Sequence, residues 1–360
     1  MQRKQTFELN AQSCGGCLLV YLGIVGAVVY IVSRSAAEPA IIIGAIAGVI
    51  ALVGIIWYLR LHIAESFYDV MIPTPDRAVA LGATVHWRPA VKANKGLRIG
   101  AATATLRCRE HAINRGGTSD SHFRKEIYRE EIILGQARKL YSGEVAEFSV
   151  KFDVPPGAIP SFHGRNNFIE WRLILKVPVP GICPDIQQEV PLVIEPETVD
   201  DRPLGADEGV PSEWADQAEK PTGRDEQGSV RGTLTARDTA TVGSLFVMPM
   251  GSQRALRVTV QTTGDIHCRG VLCWVGCRIH GSGSTEEVAL QDWHTIHEGD
   301  FGSGQVIDRS LDVEIPAGGP ASFRGRYIKC DWMVRVRVDI PVWRDKVLEL
   351  PFVVTPRLRQ

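Results

Sequence analysis

Residues 152–180 read FDVPPGAIPSFHGRNNFIEWRLILKVPVP, and residues 313–341 read VEIPAGGPASFRGRYIKCDWMVRVRVDIP. At an offset of 161 residues the two stretches share Pro155/Pro316, Gly157/Gly318, Ser161/Ser322, Phe162/Phe323, Gly164/Gly325, Arg165/Arg326, Trp171/Trp332, Val177/Val338 and Pro180/Pro341. One deletion later the match resumes with Pro191/Pro351, Val193/Val353 and Pro196/Pro356. A repeat at this spacing means two copies of one domain, not a solenoid of small units. Within each copy the residues alternate as a strand with one buried face does. Ile169, Trp171, Leu173, Leu175 and Val177 fall on one face and Glu170, Arg172 and Lys176 on the other. In the second copy Trp332, Val334, Val336 and Val338 oppose Asp331, Arg335, Arg337 and Asp339. Such strands form antiparallel sheets packed as sandwiches.

An earlier strand repeats as well: Ala104, Leu106 and Cys108 in ATATLRCREH correspond to Cys273, Val275 and Cys277 in VLCWVGCRIH. Between the copies lies an acidic stretch rich in Pro and Gly with no periodicity, the composition of a mobile linker. The soluble part is expected to be all-β, with a first sandwich over 66–197, a linker over 198–228 and a second sandwich over 229–357.

Forty basic against 41 acidic residues leave a formal charge of −1, so no global field draws the chain to nucleic acid. Aromatics are not interleaved with the basic residues as base stacking needs, and nucleic acid is not an expected partner. Of eight cysteines only Cys108 and Cys277 occupy duplicated positions. A disulfide framework would repeat with the fold, so reduced thiols are expected.

Two apolar runs precede the first sandwich. The second, Ala40 to Tyr58, would span about 28 Å as a helix, near the thickness of a bilayer core. The reading is a membrane anchor over 1–62, with a transmembrane α-helical hairpin of helices at about 17–33 and 40–59. Arg3, Lys4 and Arg60 flank it against Arg34 alone in the connection, which puts both termini and the sandwiches in the cytoplasm.

The runs PSFHGRNNFIEWRLILKVPVPG and ASFRGRYIKCDWMVRVRVDIPV resemble a segment of arrestin-fold proteins, in which Ser-Phe-x-Gly turns into a core strand. Phe162, Gly164 and Trp171 carry the match in the first copy and Phe323, Gly325 and Trp332 in the second. The resemblance implies tandem arrestin-like (immunoglobulin-like) sandwiches, as a membrane-anchored bacterial branch. It implies no enzyme but a protein-binding adaptor or scaffold at the cytoplasmic face. No Pro-Pro-x-Tyr motif is present, and a membrane hairpin departs from the family's pattern. The alternative readings are an accessory subunit of a membrane transport or secretion complex and a membrane-tethered metal-dependent enzyme.

Other clusters have plainer explanations. His267, Cys268, Cys273, Cys277 and His280 include zinc-ligand types at unsuitable spacing, and the cysteines fall on a core face. Cys14 and Cys17 form a C-x-x-C without the βαβ setting that redox motifs need. Asp292, His294, His297 and Asp300 sit among strands, where H-x-x-H side chains diverge. Arg324, Arg326, Lys329, Arg335 and Arg337 make a basic stripe that could touch anionic lipid, or simply a solvated sheet face. No cofactor is expected, and the partners implied are proteins, with lipid around the hairpin.

Overall fold

The longest strands pair with their neighbours in the same order in the two halves of the chain. In the first half, Asn167–Val177 lies antiparallel between Ala102–Asn114 and Ile186–Leu192, and Ser121–Gly135 forms the outer edge beyond Ala102–Asn114. In the second half, Lys329–Asp339 lies between Gly270–His280 and Lys346–Arg359, and Thr285–Glu298 forms the corresponding edge. The computed structural model describes residues 66–75, 78–116, 119–181, 184–199, 222–225, 228–236, 241–242 and 245–359, together with Gly48.

The pleat decides what each sheet buries. Ala104, Leu106 and Cys108 are fully buried beside Ile169, Trp171, Leu173, Leu175 and Val177 of the neighbouring strand. Smaller sheets, including Thr84–Trp87 with Val150–Asp153 and Ala90–Ala93 with Tyr68–Met71, supply Val85, Trp87, Val91 and Phe152 to the same core. In the second half, Cys273, Val275, Cys277, Trp332, Val334 and Val336 are buried. They share a core with Leu234, Leu256, Val258 and Val313 of a four-stranded sheet running Thr222–Arg224, Val230–Ala236, Gln253–Thr262 and Val306–Glu314. Burying one tryptophan removes roughly 200 Å² from water, worth about 5 kcal/mol before the entropic cost of ordering. Two lobes result, each β-rich and built of several sheets.

The connection between the lobes differs from the expected linker at both ends. Glu197–Val199 adds in parallel to Arg357–Arg359, and Thr222–Arg224 pairs with Arg231–Thr233. The first strand thus joins the second lobe's sheet as soon as the chain leaves the first lobe. Between these two strands the linker lies outside the described residues.

The transmembrane hairpin is corrected. Among the described residues no helix is long and apolar enough to cross a membrane, and the fold is all-β without a helical hairpin. The segments 17–33 and 40–59 that suggested it lie outside the described residues, Gly48 excepted. Hydropathy reports a preference for burial, not the helix that would cross a bilayer, and the described backbone closes its hydrogen bonds in sheets.

Candidate functional site

The repeated motif does the same local work in both lobes. Ser161 Oγ accepts from Ile194 N–H at 2.9 Å, and Ser322 Oγ accepts from Val354 N–H at 2.9 Å. Trp171 Nε1 donates to the Ile159 carbonyl at 2.8 Å, and Trp332 Nε1 donates to the Pro320 carbonyl at 2.9 Å. Gly164 N–H donates to Asn167 O and Gly325 N–H to Ile328 O, at 2.9 and 2.8 Å. The serine pins the loop to the neighbouring strand, the indole pins it to the core, and the glycine closes a tight turn. Phe162 and Phe323 each open a two-residue strand against that turn.

The turn of each lobe receives a carboxylate from the other lobe. Glu286 accepts from Arg165 N–H at 2.8 Å, Asn166 N–H at 2.6 Å and Asn167 Nδ2 at 2.7 Å. Glu110, fully buried, accepts from the backbone N–H groups of Arg326, Tyr327 and Ile328 at 3.0, 3.2 and 3.3 Å. Successive N–H groups of a turn form a concavity suited to an anion. The motif glycines leave room for it. A Cβ on Gly325 would overlap Glu110 Oε2, and one on Gly164 would lie 2.9 Å from Glu286 Oε2. Between the two latches Phe162, Ile169, Ile279, Phe323, Ile328 and Cys330 line a narrow apolar crevice. The rings of Phe123 and Tyr327 meet across the seam at 5.7 Å. Equivalent segments of two related lobes thus face each other, as in an isologous dimer interface.

Beside the Glu110 latch the seam opens into a groove of about 610 Å³. Its walls are Lys125, Ile127 and Tyr128 of the edge strand, Ala158 and Ile159 of the motif loop, and Phe323, Arg324 and Arg326 of the second lobe. Trp171 and Cys108 also line it. The Tyr128 hydroxyl is pushed up to about 12 by burial and its 3.0 Å bond to Glu130, so it stays protonated and donates. Burial holds the Cys108 thiol far above its ordinary range, which makes it a packing group and no nucleophile.

The basic stripe divides between two places. Arg324 and Arg326 reach the groove, Arg324 also lying 3.5 Å from Asp331. Lys329 is exposed at the start of its strand. Arg335 and Arg337 lie on the second lobe's outer face, stacked over Trp274 and Trp293. Arg335 meets Glu287 at 2.9 Å and Arg337 meets Asp345 at 3.7 Å. Arg324 stands opposite Lys329 in the strand register, and Asp331 interrupts the row between Lys329 and Arg335.

Among the described residues no three His, Cys, Asp or Glu side chains converge to hold a metal. Cys273 and Cys277 are buried, and burial pushes the Cys273 thiol up to about 12. The Cys330 thiol is raised well above its ordinary value by its hydrogen bond with Cys277 and by burial. His267 Nδ1 lies 2.7 Å from Asp300, and His297 Nε2 lies 3.1 Å from the Asp300 carbonyl, in an exposed turn. His294 bonds locally to the Asp292 carbonyl, and His280 meets Thr285. Cys268 donates to the Gly299 carbonyl. Cys14 and Cys17 lie outside the described residues.

The latch and the groove escape sequence reading. Glu110 is 216 residues from Arg326 and Glu286 is 121 from Arg165, and neither glutamate belongs to the repeated motif. The chain matches no model of a known protein family and no curated protein.

Proposed function

We propose that the chain is a non-enzymatic protein-binding adaptor or scaffold, made of two tandem arrestin-like sandwiches held as one frame. The observation that carries this reading is the groove, because both lobes build it and neither has it alone. A binding surface at a lobe interface is rigid only if the interface is. Two reciprocal carboxylate latches and an apolar seam give it that rigidity. The groove also falls within the size range of ligand-holding clefts. Cys108, Cys268, Cys273, Cys277 and Cys330 are buried, unpaired thiols, which supports a reducing, cytoplasmic setting.

Site-specific photo-cross-linking in cells expressing the full chain tests the reading. A photoreactive residue at Ala158, in the groove wall, should capture discrete protein adducts. The same residue at exposed Arg98, outside the groove, should not. Identical adducts from both positions, or none from Ala158, would remove the scaffold reading.

A further inference from the structure

The groove has a chemistry of its own. Three cations line it, Lys125, Arg324 and Arg326, and no carboxylate is among its lining residues. Among the described residues neither Lys125 nor Arg326 takes part in an ion pair, and Arg326 is held by stacking on Tyr327, 5.5 Å from the ring centre. Between the charges lie Ile127, Tyr128, Ile159 and Phe323, all partly exposed.

The way Ile127 and Tyr128 reach the groove is informative. Consecutive strand residues point to opposite faces. Here Cys108 pairs with Tyr128 while Arg109 pairs with Glu126, so Ile127 is an extra residue, a β-bulge. A bulge re-aims a side chain, and this one brings two neighbouring apolar side chains into one wall. The ladder is also broken at this point, so the groove is suited to side chains and not to an added strand.

We infer that the groove takes an acidic segment of a partner protein, in which Asp or Glu residues flank an apolar side chain. This inference rests on the scaffold reading and names the chemistry of the occupant. Carboxylates would meet Lys125 on the first lobe and Arg326 on the second, with Arg324 already facing Asp331, while the apolar residue fills the space between Tyr128 and Phe323. Separate carboxylates fit better than one compact anion. The convergent N–H groups of Arg326, Tyr327 and Ile328 that would cradle a compact anion already hold Glu110. What remains are side-chain cations on opposite walls.

Fluorescence anisotropy with the full chain provides the test. The probe is a labelled peptide of about twelve residues, with acidic residues on both sides of a central Leu-Phe pair; the control has Gln in place of every acid. The acidic probe should bind and weaken at least about tenfold between about 50 mM and 300 mM salt, since exposed charges are screened. Binding should fall at least about tenfold in a Lys125→Gln/Arg326→Gln variant, two contacts at about tenfold per 1.4 kcal/mol being ample for that loss. An unchanged thermal midpoint shows that the fold is kept, and Arg98→Gln should leave binding unaltered. Equal binding of the Gln control, or unchanged binding by the double variant, overturns the inference. If the probe fails while Ala158 still cross-links a partner, the acidic occupant is wrong and the scaffold reading stands. Loss of both removes the two together.

Discussion

Glu110 shows how much one side chain can determine. Its carboxylate is fully buried and accepts from three backbone donors of the other lobe. A hydrogen bond to a charged group contributes about 1.5–3 kcal/mol, and a buried donor left without an acceptor carries its desolvation cost. Glu110→Ala should therefore destabilise the chain by about 3 kcal/mol or more in a denaturant titration, with Glu110→Gln milder because one acceptor oxygen remains. Gly325→Ala should resemble Glu110→Ala, since the added methyl takes the place of Glu110 Oε2. His111 gives a prediction in pH. Burial, then the charges of Arg124 and His122, outweigh the attraction of Glu170 and hold the imidazole below its ordinary 6.5. A folded value below the unfolded one favours the neutral ring in the folded state. The contribution of His111 to the first lobe's stability is fully present above about pH 6.5 and is lost as the pH falls from there through the folded value. His111→Phe should flatten that dependence in melting curves taken across the range; an unchanged slope would refute it.

At the scale of elements, the hairpin after each Trp strand compares one solution in two copies. Val179 N–H donates to Asp185 Oδ1 in the first lobe, and Ile340 N–H donates to Asp345 Oδ1 in the second. At the tip the first lobe has Gly181, with φ of 120°, and the second has Val342, with φ of 65°. A β-branched residue in the left-handed region is strained by about 1–2 kcal/mol. Val342→Gly should raise the stability of the second lobe by up to about 1 kcal/mol, because the relief exceeds glycine's entropic disadvantage. A lower melting temperature would show the strain to be absent. The Trp strands themselves were legible in the sequence because alternation and burial coincide there: Ile169, Trp171, Leu173 and Leu175 read as one face and are buried. The runs that suggest a hairpin of helices lie outside the described residues, Gly48 excepted, and hydropathy carries no information on which structure closes the backbone hydrogen bonds.

The whole molecule is where the sequence was silent. Aligning the copies sets Glu110 against Ile279, not against Glu286. The reason is visible in the sheets: Glu110 pairs with Lys125 across its strand neighbour, and Ile279 pairs with Glu286. The latch carboxylate thus sits on the inner strand in the first lobe and on the edge strand in the second. A repeat search compares equivalent positions, so a contact that changes strands between copies leaves no signal. The motif Ser-Phe-x-Gly-Arg was conspicuous, but its glycine and the amides after it serve a partner more than a hundred residues away.

The central claim is that reciprocal carboxylates lock two lobes into one frame. Scanning calorimetry of the full chain, compared with its Glu110→Ala/Glu286→Ala variant, tests it most directly. A latched frame predicts one cooperative transition for the parent chain and two resolved transitions for the variant, as each lobe melts alone. Two independent transitions in the parent chain, or a variant that melts as the parent does, would contradict it.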